Sequence, residues 1–233
     1  MSRSKVQAFI FTGLIAFSAL CAMGLNEFLP DITIPEISLK KDKGNDGKGG
    51  AISKPSTRKS ANYKKANTLG KIVDNYRGVA VYYNGRVSNV DGRNVTKDGY
   101  NLGLRYQCVE FVKRFYYEYF NHEMPDSYGH AKDFINFSIP DGNFNEKRGL
   151  YQFRNGSIAR PKETDIIVFG PTSFNRFGHI AIISKVMDSS IEIVQQNPGA
   201  RNPSRMRYSL HKTEGGWYIE NSFVRGWLSK SLN

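Results

Sequence analysis

The 233-residue sequence contains only two cysteines. Cys21 lies in an apolar N-terminal segment, and Cys108 is the only cysteine in the rest of the chain. An internal disulfide is therefore excluded after the N-terminal segment. A lone thiol is an unusual structural element for a protein outside the cytoplasm, because it is exposed to oxidation there. The role of Cys108 is thus the first question that the sequence raises.

Acidic residues are also scarce, with 21 Asp and Glu against 33 Lys and Arg. The basic excess is concentrated in residues 40–65, which hold nine basic and two acidic residues. A nucleic-acid-binding protein would instead show a basic, aromatic-rich face within a recognisable module. We find none and expect no nucleic-acid partner. The basic stretch is either a plain soluble linker or a spacer lying near anionic lipid or wall polymer.

Long apolar runs are absent except at the N-terminus. Residues 6–25 carry no charge and follow a short head that contains Arg3 and Lys5. The run is long enough to span a membrane, and it also has the layout of a signal peptide. The small residues Ala22 and Gly24 would permit cleavage before Leu25. Both alternatives, a cleaved signal and an uncleaved anchor, predict that the rest of the chain is exported or secreted.

The remaining chain divides by composition. Residues 26–66 are predicted to be a flexible basic linker, because prolines interrupt the first part and the second part has too little apolar surface to offset chain entropy. A folded catalytic domain is predicted over 67–233. Membrane contact is expected only through residues 1–25, and only if they are not cleaved.

The folded part is predicted to be α+β. Apolar residues recur at helical spacing after Cys108, which predicts a helix to about Asn121. A second short helix is predicted around 129–137, and residues 84–107 and 138–160 are expected to be irregular. Strands are predicted at 79–83, 165–169, 179–186, 191–195, 206–210 and 217–220, and a short segment at 226–228 ends the domain. Helices followed by a run of antiparallel strands are typical of this class.

Cys108 is placed where a loop becomes a helix. The positive end of the helix dipole favours the thiolate there, so Cys108 is a candidate nucleophile. A cysteine nucleophile needs a base and a group that orients the base. The alternative is that Cys108 only fills the core.

His179 is the best placed of four histidines to act as that base. It follows Gly178 and opens the apolar run of residues 180–183. A hairpin turning at residues 187–190 would bring Gln195 back beside it, and Asn197 would share that face by the strand period of two. The alternative is a hydrogen-bonded rim histidine beside a polar strand end. No metal-ligand spacing is present, so no metal or cofactor is expected.

These segments resemble the CHAP family, the cysteine- and histidine-dependent amidohydrolases and peptidases related to papain and NlpC/P60 enzymes. The resemblance rests on the box at 107–111, on the Gly-His segment at 178–183 and on Gln195-x-Asn197. The amidase domain of bifunctional glutathionylspermidine synthetase/amidase is the most similar branch, with a related ending at Tyr218, Phe223, Gly226 and Trp227. The resemblance implies a papain-like fold in which the helix of the nucleophile packs on an antiparallel sheet.

The resemblance also implies a role for each site residue. Cys108 would attack an amide carbonyl and form a thioester. His179 would pair with the thiolate, then protonate the leaving amine and activate water for deacylation. The backbone N–H of Cys108, together with Gln107, would stabilise the oxyanion. Gln195 would orient His179, although the family usually has a carboxylate at that position. Asn197 is a secondary candidate.

Three functions remain open. The first is an exported amidase or endopeptidase acting on peptidoglycan peptides. The second is a small-molecule amidase of glutathionylspermidine type. The third is a CHAP module of weakened activity that binds wall polymer or a partner.

Overall fold

The central element of the fold is an eight-stranded antiparallel sheet. The computed structural model of the protein describes residues 68–232. The strand order in the sheet is β11-β10-β9-β8-β7-β12-β6-β5. Its strands are β5 (Phe144–Asn145), β6 (Leu150–Arg154), β7 (Ile166–Phe169), β8 (His179–Met187), β9 (Ser190–Val194), β10 (Arg205–Thr213), β11 (Gly216–Ile219) and β12 (Val224–Ser229).

Smaller elements precede this sheet. Two separate hairpins are formed by β1 (Ile72–Tyr76) with β2 (Val79–Tyr82), and by β3 (Arg93–Val95) with β4 (Asn101–Leu104). Helix α1 (Cys108–Phe120) follows the second hairpin, and a 3₁₀ helix spans Ala131–Phe134. The predicted α+β class, with the helix of Cys108 packed on an antiparallel sheet, is confirmed.

Both faces of the sheet are buried, which explains why its central strands are continuously apolar. Side chains alternate between faces along a strand. Ile180 and Ile182 of β8 pack with the helix residues Phe111 and Phe115 on one face. Ala181, Ile183 and their neighbours pack on the other face with side chains of the same sheet, including Trp227. Helix α1 is thereby fixed against the strand that begins with His179.

The structure corrects several sequence predictions. Residues 84–107 and 138–160 are not irregular throughout, since they contain β3, β4, β5 and β6, and β1 was not predicted. Strand β6 lacks a clear apolar signal because it buries a polar residue. Gln152 is fully buried and accepts hydrogen bonds from Asn136 N and Asn145 Nδ2. The second helix is only the four-residue 3₁₀ helix.

The N-terminal predictions fall outside the described residues. These are the apolar segment 6–25 with Cys21, and the linker 26–66. Within residues 68–232, no helix is both long enough and apolar enough to cross a membrane.

Asp165 is a buried carboxyl at the start of β7. Its Oδ2 accepts from Lys162 N at 2.8 Å, and Ser229 supplies a further side-chain hydrogen bond. Burial raises the pKa of Asp165 to about 7, against the opposing effect of these hydrogen bonds. The folded protein therefore binds this proton more tightly than the unfolded chain.

We predict that Asp165 makes the protein less stable as pH rises. A carboxyl whose pKa is higher in the folded state loses its stabilising contribution between the unfolded value, about 4, and the folded value. The stability of the wild type relative to Asp165→Asn should fall from about pH 4 to pH 7 and level off above. Urea unfolding of both proteins across this range measures the difference. Parallel stability curves would show that Asp165 is already ionised in the fold.

Candidate active site

Helix α1 presents Cys108 at its first turn. Gln107 is the N-cap residue, with extended backbone, and its carbonyl accepts from Phe111 N at 3.3 Å. The first N–H groups of a helix have no acceptor within the helix. Cys108 is 8% exposed and belongs to the core cluster that joins α1 to the sheet. The thiol therefore sits where unpaired N–H groups and the helix dipole meet.

Strand β8 positions His179 at its first residue. His179 pairs with Phe169 of β7. Gly178, directly before it, has φ +75°, and a Cβ there would lie 2.5 Å from the carbonyl oxygen of Phe169. Only glycine fits this combination of backbone angle and close approach. The glycine of the Gly-His segment is thus explained by the turn that delivers the histidine into the sheet.

A chain of hydrogen bonds fixes the His179 ring. Gln195 Nε2 donates to the carbonyl oxygen of Pro203 at 3.0 Å, which turns Gln195 Oε1 toward His179. His179 Nε2 lies 2.9 Å from that oxygen. Since an amide oxygen only accepts, Nε2 carries the proton. Nδ1 then has a free lone pair and can take the proton of a thiol.

Four of the five predicted site residues line one cleft. A cleft of about 900 Å³ is lined by Cys108, His179, Gln107 and Asn197 among others. Gln195 does not line the cleft, but it is hydrogen-bonded to His179. The structure therefore brings all five predicted residues into one region of the fold.

Gln107 and Asn197 make other contacts than those expected. Both protons of the Gln107 amide are directed at the backbone, with Nε2 at 3.1 Å from Val87 O and 2.6 Å from Asn89 O. Asn197 Nδ2 donates to Gln107 Oε1 at 2.6 Å. An oxyanion role for Gln107 would require these bonds to break. Asn197 also does not follow the strand period, because β9 ends at Val194 and Asn197 has φ +59°.

A buried carboxylate, Glu110, holds the start of the helix in place. Its Oε1 accepts from Arg114 Nε at 2.6 Å and from Asn94 Nδ2 at 2.8 Å, and its Oε2 accepts from Gln196 Nε2 at 2.8 Å. Gln196 Nε2 also donates to the carbonyl oxygen of Gln107 at 3.1 Å. This network ties the helix turn that carries Cys108 to strand β3 and to the residue next to Gln195.

The sequence pattern did not predict this hydrogen-bond network of Glu110 and Gln196. Glu110 and Arg114 lie four residues apart on a predicted helix, a spacing at which opposite charges pair. That signal could have found the ion pair. Gln196 offered no signal, because its role depends on contacts with segments far away in sequence.

The protonation states differ from those expected for a thiol at a helix start. Burial raises the pKa of Cys108 to about 11, opposed by backbone N–H groups that include that of Ile180. Burial lowers the pKa of His179 to about 4, opposed by its hydrogen bond with Gln195. At neutral pH the resting pair is therefore a thiol and a neutral imidazole. Desolvation has the opposite sign to the helix dipole and outweighs it.

A family comparison agrees with this arrangement. Residues 95–197 match the family model described as the CHAP domain. That range contains Cys108, His179 and Gln195. The resemblance inferred from the sequence is confirmed, and the match supports an amidase or peptidase reaction as the class of chemistry.

Individual proteins show more distant similarity to this chain. Trypanothione synthetase from Crithidia fasciculata is 27% identical over 139 residues, which are 60% of this chain and 20% of that protein. The crystal structure of the endolysin LysIME-EF1 is 22% identical, with a TM-score of 0.33, over 61% of this chain and 59% of that one. The structure of Ly7917 is 26% identical, with a TM-score of 0.24, over 33% of this chain and 31% of that one. The chain thus spans only a fifth of the matched synthetase and under two thirds of the endolysin.

We predict that Glu110→Gln destabilises the protein strongly. The substitution leaves Arg114, which is 5% exposed, as a buried charge without its counter-ion. Removing one partner of such a pair costs about 3–5 kcal/mol. Glu118→Gln is the matched control, because Glu118 is exposed on the same helix and its loss should cost about 0.5 kcal/mol or less. Urea unfolding at pH 7 measures both, and equal losses would contradict the assigned role of Glu110.

We also predict that Cys108 is alkylated slowly at neutral pH. Because burial favours the neutral thiol, the labelling of Cys108 by iodoacetamide should rise with pH and reach half of its maximum above about 8.5, the value of an ordinary thiol. Mass spectrometry of the Cys108 peptide after timed labelling gives the profile. A midpoint well below pH 8 would mean that an ion pair with His179 outweighs desolvation.

Proposed function

We propose that this protein is an exported cysteine hydrolase that cleaves an amide bond in peptidoglycan peptides. The observation that carries the proposal is the hydrogen-bond chain from Pro203 through Gln195 to His179, beside a cleft that His179 and Cys108 both line. It supplies a nucleophile, a base with its free nitrogen defined, and an orienting group. These are the components required for covalent catalysis by a thiol.

The first half-reaction is acylation. His179 Nδ1 takes the thiol proton as Cys108 Sγ attacks the amide carbonyl, so the thiolate forms only as it reacts. The oxyanion is stabilised by N–H groups at the start of α1, including that of Cys108. His179 then gives its proton to the leaving amine, and a thioester remains on Cys108.

Deacylation reverses the use of the base. His179, again neutral, takes a proton from water, and the hydroxide adds to the thioester carbonyl. Collapse of this intermediate releases the carboxylic acid and returns the proton to Cys108 through His179. Gln195 holds the ring throughout, but it cannot stabilise the imidazolium by charge. We therefore propose that Gln195 limits the rate without changing the mechanism.

Peptidoglycan is proposed from the predicted organisation of the chain. The apolar segment 1–25 predicts a signal or anchor, and the basic linker 26–66 would let the domain at 67–233 reach an anionic wall polymer. A lone reactive thiol fits such an enzyme, since it has no disulfide framework to disturb. The protein would then be secreted or would remain membrane-anchored with its catalytic domain outside.

The second candidate is an amidase of glutathionylspermidine type. It is favoured by the similarity to trypanothione synthetase, of which this chain spans 20%. The predicted export opposes it, because such thiol conjugates are cytoplasmic. A binding module without activity is the third candidate, and it would have no use for the oriented His179 ring.

The test is product release from purified sacculi. We predict that the wild type releases soluble muropeptides with new amine and carboxyl termini, identified by mass spectrometry. Cys108→Ala should lose this activity entirely while it keeps the thermal stability of the wild type. Glutathionylspermidine is assayed in parallel.

Three outcomes separate the candidates. Cleavage of glutathionylspermidine alone would support the second candidate. Binding to sacculi without any product would support the third. Residual muropeptide release by Cys108→Ala would exclude Cys108 as the nucleophile.

A further inference from the structure

The charge of the active-site cleft has one sign. Its lining includes two arginines, Arg93 and Arg176. None of the described residues that line the cleft is an aspartate or a glutamate. The cleft is thus positive although it belongs to a domain that is only mildly basic. Such a surface favours an anionic ligand and disfavours a cationic one.

Arg93 lies in β3, in the hairpin that precedes Cys108. It opens β3 and pairs across the hairpin with Leu104, shortly before Cys108. Its Nη1 donates to Asn101 Oδ1 at 2.9 Å, and its guanidinium lies 5.8 Å from the centre of the Tyr128 ring. The neutral amide and the ring hold the guanidinium in place without neutralising it.

Arg176 lies in the loop between β7 and β8, shortly before His179. Its guanidinium lies 5.0 Å from the centre of the Phe177 ring, and that ring lies 4.5 Å from the ring of His130. The carbonyl oxygen of Phe177 accepts from Lys132 N at 3.0 Å. Arg176 therefore extends from a braced loop two residues before Gly178.

Neither arginine has a counter-ion within residues 68–232. Among the described residues, the ion pairs involve other arginines and His211. An arginine held by neutral partners keeps several N–H donors available. A guanidinium with free donors matches the geometry of a carboxylate.

The wall behind the cleft adds to this positive field. Lys113 is buried and donates to the carbonyl oxygens of Asn101 and Ser127, which both line the cleft. Burial lowers the pKa of Lys113 to about 8, and the charges of Arg148 and Arg93 lower it further, while Asp126 opposes them. Asp126 and Asp133 also face Arg148. Neither of these carboxylates is among the residues that line the cleft, although Asp133 Oδ2 accepts a hydrogen bond at 2.9 Å from the backbone N–H of His130, which is one of them.

We propose that Arg93 and Arg176 form an anion subsite that binds carboxylates of the substrate beside the scissile amide. The proposal rests on the proposed function, whose substrate it narrows to acidic peptides. One arginine flanks the segment of Cys108 and the other flanks His179, so an anionic chain across the cleft would meet a charge on each side. A polyamine leaving group would meet only repulsion.

The experiment compares two forms of the same substrate. Intact sacculi are digested beside sacculi whose free carboxylates have been converted to carboxamides. Charge-assisted hydrogen bonds contribute about 1.5–3 kcal/mol, which corresponds to a preference of roughly 10- to 100-fold. We therefore expect the wild type to release product from intact sacculi at least about tenfold faster. Added NaCl should reduce this preference.

Variants assign the preference to the two arginines. Arg93→Gln and Arg176→Gln should each lower the rate on intact sacculi about tenfold and leave the rate on amidated sacculi unchanged. Arg201→Gln is the matched control, because it removes the same charge from an exposed arginine that does not line the cleft. It should retain the wild-type preference.

The outcomes keep the two proposals separate. If the wild type releases no product from either form, the proposed function fails. If it cleaves both forms at equal rates, the function stands and the anion subsite is wrong. If Arg93→Gln and Arg176→Gln keep the full preference, or if Arg201→Gln loses it, the assignment to these residues is likewise wrong.

Discussion

The buried carboxylate of Glu110 is the constraint on which the site depends. One side chain, two residues after the nucleophile, receives hydrogen bonds from Asn94, Arg114 and Gln196. These partners belong to a hairpin, to the helix itself and to the segment that orients the base. The relative position of Cys108 and His179 is therefore set by a polar network as well as by core packing. Such networks stabilise a structure only when every member is satisfied.

The sheet supplies the second constraint. Because both of its faces are closely packed, β8 cannot slip by one residue without exchanging the side chains that fill the two cores. His179 is held in this register because it is the first residue of β8. The position of Gln195 is fixed in the same way, because it directly follows β9, the second strand of the hairpin. The pairing of two adjacent strands thus brings His179 and Gln195 together, and the hydrogen bond from Gln195 to Pro203 orients the amide.

The sequence was most informative where local patterns act alone. The helix of Cys108, the hairpin that returns Gln195 and the apolar strands were all predictable from spacing. The features that could not be predicted depend on contacts between distant segments. They are the strand that buries Gln152, the hydrogen bonds of Glu110 with Asn94 and Gln196, and the hydrogen bonds of Gln107 to loop carbonyls. The protonation state of Cys108 belongs to this second group. A helix start favours the thiolate, but the degree of burial that outweighs it exists only in the folded chain.

The neutral side chain at position 195 also sets the net charge of the reacting groups. With a carboxylate there, an imidazolium and an oxyanion would leave the catalytic groups with an overall charge of minus one at the transition state. With Gln195 the imidazolium and the oxyanion cancel, and no fixed negative charge remains beside the substrate. An enzyme built in this way gives up charge stabilisation of its base. In exchange, it can approach a substrate that is itself negatively charged without electrostatic repulsion at the reacting centre.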